Sequence, residues 1–141
     1  MKSFIQIRLN ILIVFSSFIL SQPLILAKSD KLPRIGSIQG VIPQSAPSCA
    51  FTFAKVDDAN RRVIFYSNSD SILMNLDGQD TILREISKLN RNGITTKIYG
   101  VKNIKIQVDT KPFKNDGSLK ATITISNTHQ SKVIKAIGRC D

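Results

Sequence analysis

Asp77-Gly78 stands between two apolar runs, Ser71-Ile72-Leu73-Met74-Asn75-Leu76 before it and Gln79-Asp80-Thr81-Ile82-Leu83-Arg84-Glu85-Ile86 after it. A chain that reverses within two residues needs positive φ at the turn. Glycine adopts that conformation without steric cost and aspartate tolerates it, so the segment predicts a β-hairpin. Ile72, Met74 and Leu76 then share one face of its first strand.

The same reading extends on both sides. Cys49, Phe51 and Phe53 fall on one parity of a first strand, and Arg61 to Tyr66 forms a second, with turns predicted at Asp57-Asp58-Ala59-Asn60 and Ser67-Asn68-Ser69-Asp70. Arg84 to Leu89 has the composition of one helical turn or of a loop, ended by Asn90, Asn92 and Gly93, and Ile94 to Tyr99 alternates weakly. Lys102 to Asp109 alternates cleanly, with Ile104, Ile106 and Val108 opposite Asn103, Lys105, Gln107 and Asp109. Lys111-Pro112-Phe113-Lys114-Asn115-Asp116-Gly117 is a loop, followed by a strand with Ala121, Ile123 and Ile125 inward. Asn127 to Gln130 turns the chain into a last strand ending at Cys140. About eight short strands, regularly spaced and without a long amphipathic helix, predict an all-β fold: a small antiparallel sandwich or closed barrel.

Residues 1–27 have the three parts of a secretory signal peptide. Lys2 and Arg8 supply the charged region, Ile11 to Leu20 the apolar core, and Leu24-Ile25-Leu26-Ala27 the cleavage region. Asn10, Ser21, Gln22 and Pro23 interrupt the apolar run, which argues against a membrane span. Residues 28–48 carry Pro33, Gly36, Gly40, Pro43 and Pro47 and are read as a flexible linker, with Ile35, Ile38, Val41 and Ile42 available for one irregular edge segment. Residues 49–141 are expected to be a single β domain.

The chain has two cysteines, Cys49 and Cys140. In an oxidising compartment they are expected to pair, joining the terminal strands and closing a loop of about 90 residues. A redox or metal-binding thiol site needs close spacing or nearby histidines, and neither accompanies them.

No pattern for catalysis emerges. His129 is the sole histidine and falls in an expected turn, and no Gly-x-Ser-x-Gly motif is present. Asp57, Asp58, Asp70, Asp77, Asp80, Glu85, Asp109 and Asp116 fall mostly where turns favour aspartate. Asp77-Gly78-Gln79-Asp80 lacks the remaining ligands of a calcium loop, and no phosphate cradle or dinucleotide fingerprint occurs. No cofactor and no metal are expected.

The net charge of +10 favours an anionic partner, although Arg61-Arg62 is the only adjacent basic pair. With aromatic residues at 6% and no Trp, a base-stacking platform is disfavoured, and no specific nucleic-acid motif appears.

Cys49-Ala50-Phe51, Leu73 to Gly78, Ala121 to Ile125 and Lys135-Ala136-Ile137-Gly138-Arg139-Cys140 together resemble a group of small uncharacterised secreted bacterial proteins. Members of that group combine a Cys-led strand, a Met-Asn-x-Asp-Gly hairpin and an Ala-x-Gly-x-Cys ending. This chain has Leu73 where many of them carry Trp. The expected architecture is also similar to that of the periplasmic C-type lysozyme inhibitors, whose Phe-Trp strand has no counterpart here. These readings imply a secreted or periplasmic β domain with a non-catalytic binding or envelope role. The alternatives are an inhibitor of a lysozyme-like hydrolase and a polyanion-binding module. Lys111, Phe113 and Lys114 are the candidate partner-binding loop, and the expected partner is a protein or an anionic polymer.

Overall fold

The computed structural model describes residues 31–43, 47–55 and 62–141; the signal-peptide reading and the Asp57 to Asn60 turn lie outside them. Nine strands occur among the described residues: β1 (Ile35–Gly36), β2 (Cys49–Phe53), β3 (Val63–Ser67), β4 (Ser71–Leu76), β5 (Gln79–Arg91), β6 (Ile94–Val101), β7 (Ile104–Pro112), β8 (Ser118–Ser126) and β9 (Ser131–Cys140). From β2 to β9 every strand pairs antiparallel with its neighbour in sequence, and β2 also pairs with β9. The result is a closed eight-stranded meander with β1 added at β4. Of the two architectures expected, the structure is the barrel.

Closure follows from alternation. In β7 and β8 the inward positions Ile106, Val108, Ala121, Ile123 and Ile125 are buried, with Thr122 and Thr124 outside. A sheet apolar on one face has to cover that face, and closing on itself does so while removing the edges. Ile72, Met74 and Leu83 fill the interior from the opposite wall. A bulge between β2 and β3 breaks the strict alternation there, and consecutive Ile64 and Phe65 are both buried.

The Cys49–Cys140 disulfide lies on the seam where the barrel closes, between direct partners of β2 and β9. Gly138, opposite Phe51 on the same seam, has the least room for a side chain of the described glycines. A methyl group there would overlap the Ala50 carbonyl oxygen and the Phe51 ring.

The Asp77-Gly78 hairpin forms as expected, with φ of 51° and 88° at its two central residues, the combination of a type I′ turn. The second half of β5 differs from expectation. Arg84 to Leu89 is neither a helical turn nor a loop but continues as strand to Arg91, because Asn92-Gly93 makes a second two-residue turn with φ of 51° and 74°. β5 therefore serves two neighbours. Gln79 to Arg84 pair with β4, Glu85 to Arg91 pair with β6, and a bulge at Ile86 interrupts the second pairing just after it begins. Beyond Arg84 the β5–β6 hairpin rises past the end of β4.

Leu32 to Gly40 lie along the barrel and supply the irregular edge segment expected within residues 28–48. Ile35 and Gly36 pair with Leu76 and Asn75, Ile38 N donates to Val63 O at 2.8 Å, and Asp77 N donates to Arg34 O at 2.8 Å. Leu32 and Ile35 pack against the core.

Candidate functional site

Where β5 and β6 outrun β4, the barrel has an open mouth. It encloses a cavity of about 800 Å³, within the roughly 300–1,000 Å³ range of small-molecule sites. Phe51, Phe65, Tyr99 and Val108 form the floor, and the Phe51 and Phe65 rings meet there with centroids 5.0 Å apart. Leu119 and the Cys49–Cys140 bridge line one wall. The opposite wall consists of Lys88, Asn90, Thr95 and Lys97 from the rising hairpin, and Arg91 and Lys111 stand among the residues that line the cavity. Ser67, Asn68 and Ser69 complete it; the Asn68 side chain accepts from Ser71 N at 3.0 Å and from Ser71 Oγ at 2.8 Å, which fixes this turn.

The electrostatics are one-sided. Among the described residues that line the cavity are Lys88, Arg91, Lys97 and Lys111, and no carboxylate. Lys97 has a counter-charge in Glu85, whose Oε2 lies 3.0 Å from Lys97 Nζ, with both side chains about four-fifths buried. The charges meet as an ion pair without hydrogen-bond geometry at that oxygen. Lys97 Nζ also donates to Ser69 O at 3.3 Å, spanning from the rising hairpin to the β3–β4 turn.

Tyr99 is fully buried, and its hydroxyl has no hydrogen-bond partner among the described residues. It faces Glu85 across the β5–β6 pairing. Burial first, and the Glu85 carboxylate second, push the phenol well above its ordinary range and keep it protonated. A buried donor without an acceptor is costly and uncommon in a finished core.

The loop proposed from sequence is divided by the structure. Lys111 reaches the mouth, whereas Phe113 and Lys114 border a shallower depression outside the barrel, next to Ala50 and Arg139. Phe113 N donates to Ser118 O at 2.8 Å, and Lys120 Nζ sits 3.8 Å from the centre of the Phe113 ring. Asp116 accepts from Ser118 N at 3.0 Å; hydrogen bonding by the Ser118 side chain first, and by this backbone N–H second, holds its carboxyl below the usual range.

Three of the described carboxylates singled out from sequence are occupied in structural hydrogen bonds. Asp77 accepts from Arg34 N, Asp109 from Thr96 Oγ1 and the Gln107 side chain, and Asp80 from three donors of the N-terminal arm and β4. His129 lies in the Asn127–Gln130 turn, where Asn127 Oδ1 accepts from its backbone N–H at 2.9 Å.

Lys88, Asn90, Lys97 and Tyr99 were not identified as site residues from sequence. The usable signal was Asn92-Gly93, which marks a hairpin as Asp77-Gly78 does and would have extended β5 through Lys88 and Asn90. Outside the barrel, β5 exposes Ile82, Ile86 and Leu89, with Ile86 lying over Gly100.

Among the described residues, no helix is long and apolar enough to cross a membrane. No protein-family model matches this chain, and no curated protein or solved structure matches it.

Proposed function

We propose that this chain is a non-catalytic, exported binding barrel that holds a small ligand in its open mouth. One observation carries the reading: the roughly 800 Å³ cavity, with an apolar floor and a polar wall raised by the β5–β6 hairpin. Eight strands give a barrel just wide enough to be filled by side chains or to hold one small ligand. Here the interior around Met74, Ile106 and Ile123 is packed, and the cavity occupies the end nearest the disulfide. Export is supported by the signal-like residues 1–27 and by the disulfide, which persists in oxidising compartments.

The test is binding of Nile red, an uncharged apolar dye, followed by fluorescence. The wild-type chain should bind it at a single site. Thr95→Trp, which places a large side chain on the cavity wall, should abolish binding while leaving the circular dichroism spectrum unchanged. Equal binding by both proteins would show that the dye sits elsewhere and would overturn the reading.

A further inference from the structure

We propose that the free edge of β5, from Ile86 to Arg91, takes up an extended acidic segment of another protein as an added antiparallel strand. Only exposed groups enter this proposal, and it does not depend on a small ligand in the mouth.

The extended form of the partner follows from the edge. β5 pairs with β4 as far as Arg84, and at the end of that pairing Glu85 N donates to Asp70 O at 2.8 Å. From Ile86 to Arg91, β6 is the only strand paired with β5 among the described residues, and every residue of this stretch is exposed. The two-residue Asn92-Gly93 turn makes Arg91 and Ile94 a hydrogen-bonded pair, and bonded and non-bonded pairs alternate from there. Lys88 opposite Lys97 and Asn90 opposite Thr95 are therefore non-bonded pairs. Their backbone N–H and C=O groups point away from β6, where a further strand can pair with them.

The acidity follows from the side chains. Lys88 and Asn90 share the face turned to the mouth, and Arg91 and Lys111 stand at the same rim. Of the carboxylates on adjoining elements, Glu85 is paired with Lys97, Asp109 is held by Thr96 and Gln107 two strands away, and Asp70 lies at the far end, where β4 begins. A second copy of this edge would bring Lys88 and Arg91 of both chains together, and like charges across a strand pair are unfavourable. A strand with carboxylates opposite Lys88 and Asn90 meets attraction instead. On the outer face Ile86 and Leu89 are exposed, which favours apolar residues at the alternate positions of the incoming strand. The occupant is a strand in which acidic and apolar residues alternate.

The experiment is fluorescence anisotropy of labelled synthetic peptides with the full-length chain carrying its disulfide. Asp-Val-Glu-Ile-Asp-Val-Glu-Val should bind at least about tenfold more tightly than the same peptide with lysine at every acidic position, and Lys88→Glu combined with Arg91→Glu should remove that preference. N-Methylation of the acidic residues deletes the N–H groups that face Lys88 and Asn90 and should weaken binding at least about tenfold, whereas N-methylation of the apolar residues should change it by less than about threefold. Asn90→Pro deletes an edge-facing N–H and spares the β5–β6 ladder. It should weaken binding as the methylated acidic residues do, with the circular dichroism spectrum unchanged.

Absence of binding by the acidic peptide overturns the proposal outright. Equal binding of the acidic and lysine peptides overturns the acidic partner. Binding that survives both Asn90→Pro and methylation of the acidic residues, yet falls on charge reversal, identifies a surface that takes any polyanion and overturns strand addition. A dimer of the free chain in sedimentation that Asn90→Pro dissociates shows the edge filled by a second copy, which overturns it equally. Nile red binding tests the mouth separately, so either reading can fail while the other stands.

Discussion

Asn75 Nδ2 donates to Asp80 Oδ1 at 2.7 Å across the base of the β4–β5 hairpin, and the same carboxylate accepts from the backbone N–H groups of Gln39 and Gly40. Asn75 Oδ1 in turn accepts from Gly78 N at 3.1 Å. One side-chain pair thus braces the turn and fastens the N-terminal arm over it. Gly36 is part of this arrangement, since a Cβ there would come within 2.7 Å of Asn75 Oδ1.

The clamp gives the arm a pH dependence. The Asn75 amide, and after it the Gly40 N–H, hold the Asp80 carboxyl below its usual value of 3.8. A depressed carboxylate contributes stability that is fully present above the unfolded value and is lost as pH falls through the folded one. Asp80→Ala should therefore free the arm at neutral pH, seen as faster tryptic cleavage after Arg34. The wild-type amide resonance of Gly40 should move only below about pH 4. A Gly40 resonance unchanged by Asp80→Ala would refute the clamp.

Gly138→Ala tests the barrel seam. The added methyl would overlap the Ala50 carbonyl oxygen and the Phe51 ring, and backbone on one side cannot move without parting β2 from β9. Overpacking of this kind costs about 1–3 kcal/mol. Urea denaturation should show the midpoint falling without a change in slope. An unchanged midpoint would mean that the seam is looser than the Gly138–Phe51 contact implies.

Replacing both Cys49 and Cys140 by serine removes a bridge between residues 91 positions apart. In the chain-entropy account such a bridge stabilises by about 3–5 kcal/mol. The double variant should lose an amount in that range by equilibrium unfolding, and the wild-type chain unfolded in reductant should lose the same. A loss well below about 2 kcal/mol would show that pairing along β2 and β9 closes the barrel without help.

Tyr99→Phe should change unfolding free energy little or raise it by about 1 kcal/mol, because it deletes a buried hydroxyl that has no partner among the described residues. At alkaline pH the sign is fixed by the raised phenol. Above the ordinary value of 10.0 the unfolded chain releases this proton and the folded chain keeps it, so wild-type stability falls as pH rises further. The variant should show a shallower fall. A substantial loss of stability at neutral pH would mean that the hydroxyl is bonded.

The local pattern was enough to determine the class of fold. Alternation in Ile104 to Asp109 and Ala121 to Ile125, the Asp77-Gly78 turn and the pairing of two cysteines all depend on residues close in sequence or on the absence of any other partner. Each has a short-range physical cause. Whether the strands made a sandwich or a barrel depended on β2 meeting β9, a contact that no local preference encodes. The mouth was harder still to read. Apart from Leu89, Ser87 to Asn92 is polar and lacks alternation, since on a hairpin that rises beyond β4 neither face is obliged to be apolar. The hydrophobic pattern reports burial, and it falls silent where a strand leaves the core. Lys88, Asn90 and Lys97 were therefore indistinguishable from ordinary solvated residues until the register of β5 on β6 set them on one wall, above the buried hydroxyl of Tyr99.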